Sequence, residues 1–148
     1  MSQDAKTTKD LIEVLEDGRK GFAEGADKLK ALDRPDLAAI FERHAQERQQ
    51  FSSQLETMAA AYGDDIDEDG SVAAAVHRGW MTLKDAISGS DPDGVLSAAV
   101  QGEDHAVEKY EKALDADISA DLRTTVSAQL ADITRARDEV KTQLDAAS

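Results

Sequence analysis

The sequence predicts an all-α bundle, and three observations carry the prediction. Apolar residues recur at helical spacing through most of the chain, nothing reads as strand, and only 2 prolines and 9 glycines interrupt 148 residues. The length suits one compact domain, taken as residues 1–148, with a real hydrophobic core. With 41% apolar and 32% charged residues, the composition is that of a folded helical protein rather than a disordered one.

The first helix runs from Thr8 to about Leu32 behind a flexible lead-in over residues 1–7. Leu11, Leu15, Phe22, Ala26 and Leu29 share one face, and Thr7 with Asp10 forms a capping pattern. Asp33 and Pro35 punctuate the chain. Leu37, Ile40, Phe41, Phe51, Leu55, Met58 and Tyr62 then carry a second long helix to Gly63. So short a connection makes the two helices antiparallel. An acidic loop over 63–70 leads to a shorter helix over 71–88, capped by Ser71, with Val72, Val76, Trp80, Leu83 and Ile87 on one side. Asp91 followed by Pro92 starts the next helix, lined by Val95, Leu96, Ala99, Ala106, Tyr110 and Ala113. The last helix begins near Ser119 and carries Leu122, Val126, Ile133, Ala136, Val140 and Leu144.

The lengths are therefore long, long, short, long, long. Two tight antiparallel pairs are joined by a long crossover that contains the short extra helix, which is the plan of a ferritin-like four-helix bundle. A five-helix bundle of another connectivity is the alternative.

Charge and composition narrow the function. A net charge of −14 argues against nucleic-acid and anionic-membrane partners, whose phosphates an acidic surface repels. The absence of cysteine removes disulfides, thiol nucleophiles and thiolate metal sites together. The N-terminal stretch MSQDAKTTKD lacks the apolar core of a signal peptide and no stretch approaches a membrane span, so cytoplasm is the expected location.

Four stretches at matched spacing carry a resemblance: LIEVLEDGRKGF in the first helix, RQQF from Arg48 in the second, HRGWMTLKDAISG in the crossover and GEDHAVEKYEKAL in the fourth. Together they resemble an uncharacterised bacterial family of ferritin-like four-helix-bundle proteins, a domain of unknown function, over most of the chain. The resemblance implies the fold, a bacterial origin and a link to stress responses, and implies no established activity.

The stretch DIDEDGSV from Asp65 looks like the front of a calcium loop. An EF-hand loop takes calcium through oxygens at its first, third, fifth and seventh positions, needs glycine at the sixth and closes with a bidentate glutamate at the twelfth. Asp65, Asp67, Asp69, Gly70 and the Ser71 carbonyl fall in register, but Val76 occupies the closing position and offers no oxygen. Such a loop binds calcium weakly at best. The simpler reading is a solvated acidic linker whose charges favour the dipole of the following helix.

A second site lies inside the bundle. Di-metal ferritin-like proteins place a glutamate on each of two helices and Glu-x-x-His on the other two. This chain has no Glu-x-x-His, and a helical wheel puts Glu13, Glu16, Asp17 and Glu24 on the solvent side of the first helix. His44 and Arg48, by contrast, sit within the apolar stripe of the second helix, and Glu103 lies centrally on the fourth. The last helix brings Gln129, with Arg137 as a further candidate, toward the same side. A permanent guanidinium beside the carboxylate is the wrong chemistry for a dication. Arg48 and Glu103 are instead expected to form a bidentate pair, with Gln129 satisfying the remaining donors.

Gly18, Gly21 and Gly25 make a small-residue edge on the first helix, explained by close approach of a helix of the same chain or of a partner in a symmetric dimer. His77 and Trp80 read as crossover packing, and His105 as exposed. The expectation is a protein without chemistry of its own and without cofactor, acting through a protein partner or a homodimer in interaction or stress. The alternative is a metalloprotein, with iron or manganese around His44 and Glu103 or calcium in the acidic loop. An enzyme with a buried acid-base pair is the third class.

Overall fold

A computed structural model describes residues 3–61 and 91–147. They form four helices, α1 (Gln3–Ala31), α2 (Pro35–Ala61), α3 (Pro92–Asp115) and α4 (Ala120–Ala147), and among the described residues there is no strand. The acidic loop with Asp65, Asp67, Asp69 and Ser71, the crossover helix over 71–88, and His77 and Trp80 lie outside the described residues.

α1 begins at Gln3 rather than at Thr8, so residues 3–7, expected as a lead-in, are helical. Thr7 and Thr8 are buried within the helix and do not cap it. What holds this end is tertiary: Asp4 Oδ1 accepts the Ser119 backbone N–H at 2.9 Å, pinning the start of α1 to the α3–α4 turn. A contact so distant in sequence leaves no local capping pattern.

The α1–α2 turn closes through a Schellman arrangement in which the Arg34 N–H reaches the Leu29 carbonyl at 2.8 Å and the Asp33 N–H reaches Lys30 at 3.1 Å. Asp33 takes the left-handed conformation there, with φ 62°, a position usually given to glycine and tolerated by aspartate. α3 starts as Asp91-Pro92 implies: the Asp91 carboxylate accepts the Asp93 N–H at 2.9 Å, with proline in the first turn. Ser119 caps α4, its hydroxyl accepting the Leu122 N–H at 3.3 Å. Arg123 donates to the Leu114 and Ala116 carbonyls at 2.5 and 3.0 Å and so closes the C-terminal end of α3.

Two apolar clusters fill the interior. One joins Leu11 and Leu15 of α1, Leu55 and Ala59 of α2, Ala106 and Tyr110 of α3, and Leu122 and Val126 of α4. The other joins Phe22 and Leu29, Leu37 and Phe41, Val95 and Leu96, and Val140. The early part of α1 thus packs with the late parts of α2 and α3 and the early part of α4. Hence α1 runs antiparallel to α2 and α3 and parallel to α4.

Glycine makes the α1–α2 contact close. A Cβ at Gly25 would lie 2.7 Å from two ring carbons of Phe41, and one at Gly18 would lie 3.0 Å from Arg48 Nη1. The small-residue edge therefore receives a helix of the same chain at both positions.

Candidate functional site

Between the two apolar clusters lies a polar layer. Arg48 is 1% exposed and Glu103 0%. Arg48 Nη1 donates to Glu103 Oε1 at 2.6 Å and Nη2 to Oε2 at 2.5 Å, a fork-on-fork pair that uses both carboxylate oxygens. Burial alone would pull the guanidinium's pKa down, but the charge and hydrogen bonds of Glu103 outweigh it and hold the pKa above its ordinary value. The cation also lies 5.3 Å from the Phe22 ring centroid, over the face of the ring. Gly18 leaves room for Nη1, so each of α1, α2 and α3 shapes the pair.

Gln129 does not complete this pair. Its carbonyl oxygen accepts the Tyr110 hydroxyl at 2.7 Å, and its amide donates to Gln54 Oε1 at 2.9 Å. It thus forms a second polar link, from the buried Tyr110 on α3 through α4 to α2. Burial pushes the Tyr110 pKa up, with the nearby Arg48 charge opposing it, so the hydroxyl stays a donor. The difference from expectation is one of register: Gln129 lies opposite Gln54, more than one turn beyond Arg48.

His44 is 5% exposed and turns to α4, where its Nε2 lies 2.9 Å from Glu139 Oε1, at ion-pair distance but outside hydrogen-bond alignment. The same oxygen accepts Arg43 Nη2 at 2.5 Å. Burial depresses the His44 pKa, opposed by Glu103 and Glu139 and reinforced by Arg48 and Arg43. On Glu139, burial raises the pKa, but the Arg43 bond and charge and then His44 bring it below the ordinary carboxylate value. His44 and Glu103 are thus directed to different partners. Arg137 faces Asp104, 3.5 Å away, instead of joining the layer.

Asp17 corrects the wheel. Expected in solvent, it is 5% exposed, and desolvation raises its pKa to about 7 against a weaker lowering by Lys20. Because α1 packs against both α2 and α3, its buried arc is wider than one stripe and takes in Thr7, Thr8 and Asp17. Glu13 and Glu16 are half-buried for the same reason, whereas Glu24 is exposed. His105, expected exposed, is half-buried where α3 lines the α1–α3 groove with Asp17. Thr8, Asp17 and Ser52 are buried polar side chains that sequence reasoning missed. Glu139, half-exposed, is the neighbour of His44 that it did not foresee, and Tyr110 was read only as a lining residue and not as the donor to Gln129. A carboxylate next to the buried Val140 was the one local sign for Glu139.

Chemically, the layer offers no open ligand set: both Glu103 oxygens are occupied by Arg48, and among the described residues no group of three or more acidic or histidine side chains is arranged to hold a metal ion. No helix among the described residues is long and apolar enough to cross a membrane. Among curated proteins, no match to the chain is found. The model of the family described as Domain of unknown function (DUF2383) matches residues 4–116, from the start of α1 through the end of α3 and with both Arg48 and Glu103 inside it, so the chain belongs to that family.

Proposed function

We propose that this protein is a ferritin-like bundle without chemistry of its own, in which a buried ion pair stands where a di-metal centre would sit, and that it works through its surface as an interaction or stress-related protein. The observation that carries the reading is the bidentate engagement of Glu103 by Arg48 at the centre of the bundle. A guanidinium there supplies the positive charge that a metal would supply, and a dication entering the layer would have to displace it against its own repulsion. The helix directions support a ferritin-like connectivity: α1 antiparallel to α2 and α3, α4 parallel to α1. A net charge of −14 favours cationic protein surfaces over nucleic acid as partners.

Elemental analysis by plasma mass spectrometry tests the reading, on protein purified without chelator and equilibrated separately with iron, manganese and calcium. The reading expects no stoichiometric transition metal. About one or two iron or manganese ions per chain would overturn it in favour of a metal site near His44 and Glu103. Calcium alone, lost on substituting Asp65 and Asp69, would assign binding to the acidic loop and leave the ion pair in place.

A further inference from the structure

A solvent-open groove of about 520 Å³ lies between α2 and α4, the adjacent helices that touch least among those described, and it reaches the buried His44. Its walls are charged, with Arg43 and Glu47 from α2 and Asp132, Arg135, Asp138 and Glu139 from α4. Most of these charges are already matched. Arg43 Nη2 donates to Glu139 Oε1 at 2.5 Å, Arg135 pairs with Asp132, and Arg137 lies 3.4 Å from Asp138.

Two atoms of the groove are not matched. Glu47 Oε1 and His44 Nε2 are both buried, and among the described residues neither has a hydrogen-bond partner. The two side chains stand one turn apart on α2 and line the same groove. His44 Nε2 also lies 2.9 Å from Glu139 Oε1 without hydrogen-bond alignment. An imidazole with its proton on Nδ1 therefore presents a lone pair here, beside carboxylate oxygens that only accept. Buried acceptors without a donor cost free energy, and a donor arriving between them recovers it.

We propose that this groove seats the ammonium group of a lysine side chain on a protein partner, with Glu47 Oε1 and His44 Nε2 as the acceptors that hold it. The inference rests on the reading of this chain as an interaction protein and names the chemistry its partner presents. Charge complementarity supports it, since carboxylates outnumber guanidinium groups along the walls. Burial raises the Glu47 pKa against the lowering by Arg48, Arg135 and Arg43, so the arginines nearby do not make up for the water this carboxylate has lost. Burial also depresses the His44 pKa and favours the neutral, accepting imidazole. An ammonium carries three donors on one atom and suits single acceptors on separate side chains, whereas a guanidinium fork suits both oxygens of one carboxylate. Enclosed pockets retain small free ligands by burying most of their surface. A groove this open favours a side chain whose backbone adds contacts at the rim.

The test is NMR on the full chain at about pH 7.5 and constant ionic strength, titrated with four probes: a capped Gly-Lys-Gly peptide, the same peptide acetylated on its lysine, n-butylamine, and tetramethylammonium chloride. The lysine peptide should give saturable shifts centred on His44, Glu47 and Glu139, and bind more tightly than n-butylamine. The acetylated peptide lacks the charge and tetramethylammonium lacks an N–H donor, so neither should reproduce those shifts. Glu47→Gln should weaken the lysine peptide by about tenfold or more. Equal shifts from tetramethylammonium or the acetylated peptide, n-butylamine binding as tightly as the peptide, an unchanged affinity in Glu47→Gln, or no saturable shift would each overturn the lysine seat. A parallel titration with manganese(II) separates that failure from failure of the interaction reading. Where the peptide fails, manganese broadening at His44 and Glu47 overturns both, whereas a groove silent to both probes overturns the lysine seat alone.

Discussion

Arg48, Glu103 and His44 could be read from the sequence because each interrupts an apolar stripe, and a polar residue at a core position of a helix demands an internal partner. Asp17 and Glu139 could not be read the same way. The wheel puts Asp17 on the solvent side of α1, and its burial follows from α1 packing against two helices at once, whereas Glu139 lies beside its stripe and stays half-exposed. Asp17 carries a prediction with a definite sign. Its folded pKa, about 7, lies above the ordinary value of 3.8, so its contribution favours folding at low pH and is lost as pH rises between them. Asp17→Asn removes that dependence. Relative to wild type, the variant should gain on the order of 2 kcal/mol between about pH 4 and about pH 8, measured by urea denaturation at each pH. Tyr110→Phe tests the second polar link. It leaves the buried Gln129 carbonyl without the Tyr110 donor, and a loss of about 1–2 kcal/mol is expected in the same assay.

At the scale of elements, the starts of α3 and α4 were legible because their caps are local: Asp91-Pro92 and Ser119 hold the first turns through bonds two or three residues away. The start of α1 was not, since its anchor is the Asp4 contact with Ser119, far along the chain. Two substitutions probe the α1–α2 hairpin. Asp33→Gly relieves a left-handed residue in the Schellman turn and should raise stability by about 0.5–1 kcal/mol, readable as a higher melting temperature. Gly25→Ala drives a methyl against the Phe41 ring and should lower stability by about 1–2 kcal/mol even though alanine favours the helix. An unchanged melting temperature in Gly25→Ala would show that α1 and α2 do not approach as closely as the structure places them.

For the whole molecule, the all-helical class followed from periodicity, while the pairing of helices across the bundle followed from contacts that periodicity does not encode. Seeing that His44 turns to Glu139 and Gln129 to Gln54 required the relative register of α2 and α4, which no helical wheel contains. The centre of the bundle is closed by its own ion pair, Arg48 on Glu103. Denaturant unfolding of Arg48→Met, Glu103→Leu and the double variant tests it directly. Each single change strands a buried charge and should cost about 3–5 kcal/mol, whereas the double change replaces the pair with apolar volume and should cost less than either single one. Single variants within about 1 kcal/mol of wild type, or losses that simply add in the double variant, would contradict a buried Arg48–Glu103 pair.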